Sequence, residues 1–216
     1  CDISSVKGSV IVKDFSKEKF KMNLKSNKVN VIKILPGGVV TAKDTAEIEL
    51  DANGEFVRNP EVDLVKVAVV ERHQGTGNVA CGFLKGYGIK EGAVALSIAH
   101  DSHNIIVVGV SDEEMEFAVN SLIEQEGGMV LVKEGKVIES MPMPIAGLMS
   151  DQSGEWVDQK LTDIHEKAYE ELGICGDVEP VMTLCFMSLA VIPEIKLTDM
   201  GLFDVTTFSF IPVEAE

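Results

Sequence analysis

Three short apolar runs, residues 64–70, 92–98 and 105–110, constrain this chain most. They are rich in Val, Ile, Leu, Ala and Gly, and Lys66 is the one charge among them. A strand with one wet face alternates apolar and polar residues, whereas a strand covered on both faces does not. The chain must therefore build a sheet whose middle is buried on both sides. The second and third runs are joined by Ala99-His100-Asp101-Ser102-His103-Asn104. Buried strands seldom meet in five polar side chains unless those side chains have partners or a task. Two readings stay open. One is a site at a strand end, binding a metal through His100 and His103 or contacting a polar ligand. The other is a polar turn whose His and Asp side chains satisfy nearby backbone groups. His-x-x-His by itself supplies two ligands where a metal site needs more.

The run at 64–70 leads into a second loop of this kind, Glu71-Arg72-His73-Gln74-Gly75-Thr76-Gly77-Asn78. Its two glycines let backbone amides approach a ligand. It lacks the Gly-Lys-Ser/Thr ending of a Walker loop and the third glycine of a dinucleotide fingerprint. The plainer alternative is a tight turn in which Glu71 and Arg72 form an ion pair. If the two loops are neighbours, His73, His100, Asp101 and His103 gather in one cluster at the ends of adjacent strands. His165 lies among charged residues and reads as a solvated surface histidine. No Ser-His-Asp arrangement or Gly-x-Ser-x-Gly elbow is present.

The remaining elements follow from periodicity and breakers. Residues 1–27 are lysine-rich and read as an N-terminal arm or edge strands, with one domain over 28–216. Residues 29–35 and 39–50 read as strands, with turns at Pro36-Gly37-Gly38 and Asp51-Ala52-Asn53-Gly54. Residues 79–84 continue the sheet. Ser111 and Glu114 form a capping box before Met115, Ala118, Val119, Leu122 and Ile123, and Gly127-Gly128 ends that helix. A second helix spans about 154–172. Between them, 129–132 and 136–138 flank Lys133-Glu134-Gly135 as a hairpin. The stretch 181–191 is a further apolar run. Met141 and Met143 read as gap-filling core. The fold class is α+β or mixed α/β, with mixed sheets and two main helices.

Lys and Arg number 19 against 35 Asp and Glu, a net charge of −16. Such a surface repels nucleic acid and anionic membranes, so neither is expected as a partner. No run reaches the ~18 apolar residues of a membrane span, and no basic-then-apolar signal opens the chain. The four cysteines are scattered, and Cys81 and Cys185 lie in apolar runs that suit buried thiols. A cytoplasmic protein is expected, and a start at Cys1 suggests a processed chain or a piece of a longer one.

Four separated stretches together resemble a known family. They are Glu71-Arg72-His73 with Gly75-Thr76-Gly77-Asn78, the stretch 99–109, Pro144-Ile145-Ala146-Gly147-Leu148-Met149-Ser150, and Ile192-Pro193-Glu194-Ile195-Lys196-Leu197-Thr198-Asp199. In this order they resemble the C-terminal domain of prokaryotic adenine deaminase, of the amidohydrolase superfamily. The resemblance covers roughly residues 29–213. It implies a part of an enzyme that hydrolyses adenine to hypoxanthine and ammonia in purine salvage. In that family a (β/α)8 barrel holding manganese or iron precedes this domain; none of the barrel's metal ligands occur in these 216 residues, so this chain alone is expected to be inactive. The resemblance makes Glu71, Arg72, His73, Thr76, Asn78, His100, Asp101, Ser102, His103 and Asn104 candidate residues lining the active site, with adenine, the preceding barrel and a homo-oligomer as partners. Two other functions compete: a non-catalytic assembly domain, and a standalone module for a small molecule or metal.

Overall fold

A computed structural model describes residues 4–215. Its centre is an eight-stranded sheet in the order β10-β9-β7-β8-β5-β6-β1-β2. The strands are β1 (Lys28–Ile34), β2 (Thr41–Glu47), β5 (Leu64–Val70), β6 (Val79–Lys85), β7 (Ala93–Leu96), β8 (Ile105–Gly109), β9 (Gly128–Lys133) and β10 (Lys136–Pro142). Every neighbouring pair is antiparallel except β1 and β6, which run parallel, so the sheet is mixed. The three apolar runs are the adjacent central strands β7, β8 and β5, buried at every position.

Period-2 alternation assigns their side chains to two cores. Val65, Val67, Val69, Val94, Leu96, Ile106 and Val108 face one side. They pack there with helix α2 (Gly154–Glu170), helix α3 (Pro180–Cys185) and a small sheet of β11 (Ile195–Thr198), β12 (Gly201–Asp204) and β13 (Ser209–Phe210). Ala68, Val70, Ala93, Ala95, Ile105 and Val107 face helix α1 (Asp112–Glu124) and Phe20 of the arm. The second face is lined by small residues, which lets α1 lie close. A Cβ on Gly109 would stand 2.7 Å from Cγ of Met115. A remaining hairpin pairs β3 (Glu49–Leu50) with β4 (Phe56–Val57) around the turn at Asp51 to Gly54.

The helix signals act locally as expected, with one difference. Ser111 caps α1 by accepting the N–H of Glu114, and Ser153 caps α2 by accepting that of Trp156. The Glu114 carboxylate takes the N–H of Gly135 in the β9–β10 turn. The arm is not a set of edge strands. Its described part has two 3-10 turns, Ser4–Val6 and Lys17–Phe20, and no strand. It packs Phe20 under α1 and is fastened by Ile11 N–H to the Arg72 carbonyl (2.7 Å) and Lys19 Nζ to the Gly77 carbonyl (2.7 Å). Residues 181–191 are α3 and the turns after it, making a third helix. Among the described residues no helix is long and apolar enough to cross a membrane.

Candidate functional site

The antiparallel register brings the C-terminal ends of β5, β7 and β10 together with the N-terminal ends of β6, β8 and β9. The loops 71–78, 97–104, 125–127 and 143–153 therefore emerge at one end of the sheet. Glu71 organises the first of them. Its carboxylate accepts the N–H groups of His73 (2.5 Å), Gln74 (2.7 Å) and Thr76 (2.9 Å) and the Thr76 hydroxyl (3.0 Å). Burial pulls this carboxyl upward, but the three N–H groups and the hydroxyl outweigh it and hold it down at about 2. Glu71 N–H also donates to the Asn78 carbonyl, and Asn78 N–H to the Thr76 hydroxyl.

Arg72 is not paired with Glu71, because successive side chains on an extended segment point to opposite faces. The Arg72 side chain is 1% exposed. Its Nε donates to the His103 carbonyl (2.5 Å) and its Nη2 to the Ala146 carbonyl (3.1 Å). Its Nη1 is buried with no partner. The Asn104 side chain, also buried, accepts Arg72 N–H at 3.3 Å, which extends the β5–β8 ladder by one bond.

The two histidine loops touch. His73 Nε2 lies 2.7 Å from the Ser102 carbonyl. The His100 and His103 rings stand edge to face with centroids 5.6 Å apart, and His100 packs at 4.8 Å against the Phe186 ring. The His100–Asp101 peptide is cis. His100 N–H donates to the Cys185 carbonyl, so the end of α3 is part of this surface. Burial, then the charges of His100 and Arg72, push the His103 imidazolium down, and its Nδ1 is buried without a partner. His73, Thr76, Asn78, Asp101 and Ser102 are exposed, His100 and His103 half-buried, and Glu71, Arg72 and Asn104 buried. Among the described residues no three His, Cys, Asp or Glu side chains gather that hold a metal ion, so His100 and His103 gain no third ligand.

His165 lies outside this cluster. Its Nε2 contacts the Glu179 carboxylate, which also caps α3, so it is a half-buried partnered residue and not a freely solvated one. Open clefts lie elsewhere on the domain; one of about 320 Å³ is lined by Ile48, Phe56, Val62 and Leu64. Sequence reading passed over Phe186 and Ser97, and gave Ala146-Gly147 no part in the site beyond the resemblance. Ser97 is fully buried, donates to the Gly147 carbonyl (2.5 Å) and accepts Gly128 N–H (2.7 Å). A lone hydroxyl inside an apolar run was its signal, because such a group must find partners.

A family model described as the adenine deaminase C-terminal domain matches residues 38–209. The chain belongs to the adenine deaminase C-terminal domain family. It is 67% identical over 214 residues to "Adenine deaminase 2" of Desulfotalea psychrophila, covering 99% of this chain and 37% of that protein. It is 49% identical to an adenine deaminase of Ligilactobacillus salivarius, again over 99% and 37%, and 44% identical to that of Bacillus subtilis over 92% and 34%. The chain thus spans about 37% of the length of the first two relatives. In this adenine deaminase C-terminal domain, three of the four resembling stretches meet at the loop end. The fourth, 192–199, clamps the start of β2 instead. Thr41 Oγ1 donates to the Ile195 carbonyl, Lys43 N–H to Glu194, and the buried Lys196 Nζ to the Val39 carbonyl.

Proposed function

We propose that this chain works as the C-terminal part of an adenine deaminase, hydrolysing adenine to hypoxanthine and ammonia in cytoplasmic purine salvage, with its loop end turned toward the catalytic region that precedes it. The observation that carries this reading is where the chain enters the domain. Ala146 N–H donates to the Val6 carbonyl (3.2 Å), and Ile11 N–H to the Arg72 carbonyl, so the first described residues lie against the histidine loops. The same end of the sheet carries His73, His100, Asp101, Ser102 and His103. These present imidazole, carboxylate and hydroxyl groups able to hydrogen-bond a purine edge. Thr76 and Asn78 stand on the rim, and Glu71 and Asn104 shape the loops from beneath.

Manganese or iron belongs, on this reading, to a preceding amidohydrolase barrel, where it supplies an activated water. Among the described residues no cluster of His, Cys, Asp or Glu fits a metal by itself. The test uses the full-length protein. Replacing His100 or Asp101 by Ala lowers turnover of adenine by about tenfold or more while the melting temperature stays near wild type. Unchanged turnover in both variants removes the loop end from the active site.

The assembly reading rests on a different surface. Phe208 and Phe210 are 73% and 53% exposed and each packs edge to face with Phe203, and Met200, in the turn between β11 and β12, is 69% exposed. Apolar patches of this kind mark interfaces, and a homo-oligomer formed through them is compatible with the enzyme reading. Sedimentation of the full-length protein with Phe208→Ser and Phe210→Ser tests it: a smaller species supports a homo-oligomer, and an unchanged one refutes it.

A further inference from the structure

We propose that Arg72 is the positioning residue of the histidine pair: through the backbone of His103 it sets where the His100 and His103 rings stand at the mouth of the site. The inference rests on the adenine-deaminating reading above. Its grounds are the way the guanidinium is held. Arg72 is 1% exposed, yet it donates to no carboxylate. Glu71, its neighbour in sequence, spends its carboxylate on its own loop. A buried cation without a counter-ion is a costly way to fill a core, and an apolar side chain of similar volume stabilises a fold as well or better. What Arg72 adds is a rigid planar fork reaching in two directions at once. One arm holds the carbonyl of His103, and the other holds the carbonyl of Ala146.

His103 needs such a hold, because its backbone is left-handed (φ +53°), a conformation disfavoured for a residue with a side chain. Its ring then meets the His100 ring, which is braced from behind by Phe186. The fork is itself fixed. A Cβ on Gly147 would stand 2.7 Å from Nη1, so the glycine lets the turn close over the guanidinium, and Ser97 ties the Gly147 carbonyl to the sheet through Gly128. Sheet, turn, guanidinium and histidine backbone form one rigid path. None of the Arg72 donors reaches the surface where a ligand would sit: Nε and Nη2 are occupied and Nη1 is buried. Arg72 therefore acts through the histidines and does not itself touch adenine.

The experiment is a double-mutant cycle in the full-length protein with adenine as substrate. Arg72→Lys keeps the charge and loses the fork; Gly147→Ala keeps the arginine and displaces it. Each is expected to lower kcat about 10- to 100-fold with KM changed less than about threefold, as misplaced groups do. In a background with both His100→Ala and His103→Ala the same two changes are expected to lower kcat less than about threefold further, since a residue acting through the two rings has nothing left to place. Full additivity of Arg72→Lys with the paired His100→Ala and His103→Ala changes overturns the proposal and assigns Arg72 a purely structural role. If Arg72→Lys does not fold, Gly147→Ala in the two backgrounds decides by the same criterion. A wild-type protein that turns over adenine but is indifferent to His100→Ala overturns the functional reading itself, which separates the two failures.

Discussion

Nε2 of His73 stands 2.7 Å from the carbonyl oxygen of Ser102, so the loop after β5 and the loop after β7 form one surface. A carbonyl oxygen only accepts, so Nε2 of His73 is the donor in this bond. That bond spans two loops that are 29 residues apart in the chain.

The carboxylate of Glu71 gives the loop a defined acid sensitivity. Unfolded, it titrates near 4.5, and folded at about 2. A depressed folded value contributes stability that is complete above the unfolded value and is lost as pH falls from about 4.5 toward 2. Glu71→Ala leaves three half-buried N–H groups without their acceptor and is expected to cost about 1–2 kcal/mol at pH 7. Urea unfolding at pH 7 and pH 3 measures it: the variant should lose less stability between the two than wild type, and parallel losses contradict the assignment.

Ser97→Ala removes a side-chain link between the 145–149 turn and the sheet at Gly128. The Gly147 carbonyl and the Gly128 N–H each lose a buried partner. We expect a loss of about 2 kcal/mol and a melting temperature about 5 °C lower. Calorimetry showing less than about 1 °C of change excludes this role for the hydroxyl.

The thiols should divide by environment. Burial pushes both Cys81 and Cys185 up to about 12, so roughly one molecule in ten thousand carries either thiolate at pH 8. Cys175 is exposed. Alkylation at pH 8 followed by peptide mass mapping should label Cys175 within minutes, and Cys81 and Cys185 only in denaturant.

Phe186 braces the His100 ring from the end of α3. It is half-buried, so Phe186→Ala is expected to cost about 2 kcal/mol, below the 3–5 kcal/mol of a fully buried phenylalanine. Chemical denaturation of the variant checks the figure; a cost above about 4 kcal/mol would place the ring in the core proper.

The central strands were legible because residues buried on two faces leave a run without alternation, as in residues 64–70. The cap at Ser111 and the stop at Gly127-Gly128 were legible because they are local. Helix α3 was hidden, since six residues are too few to show a period inside the apolar stretch 181–191. Glu179 before Pro180, a cap followed by proline at the first turn, was the signal that would have found it. Residues 1–27 left an arm and edge strands both open; a strand also needs a free sheet edge, and the described part of the arm lies across the sheet's α1 face instead. The adjacency of Glu71 and Arg72 suggested an ion pair, which the extended backbone forbids. That three of the resembling stretches meet at one end, while 192–199 serves β2, depends on strand order, which no local pattern contains.

The hydrogen bond from Ala146 to the Val6 carbonyl fixes more than a turn. Together with the bond from Ile11 to the Arg72 carbonyl it staples residues 6–11 across two loops that are 74 residues apart in the chain. Residues held at both ends of such a strap lose freedom together, so the turn and the loop after β5 should open as one unit in hydrogen exchange and not separately.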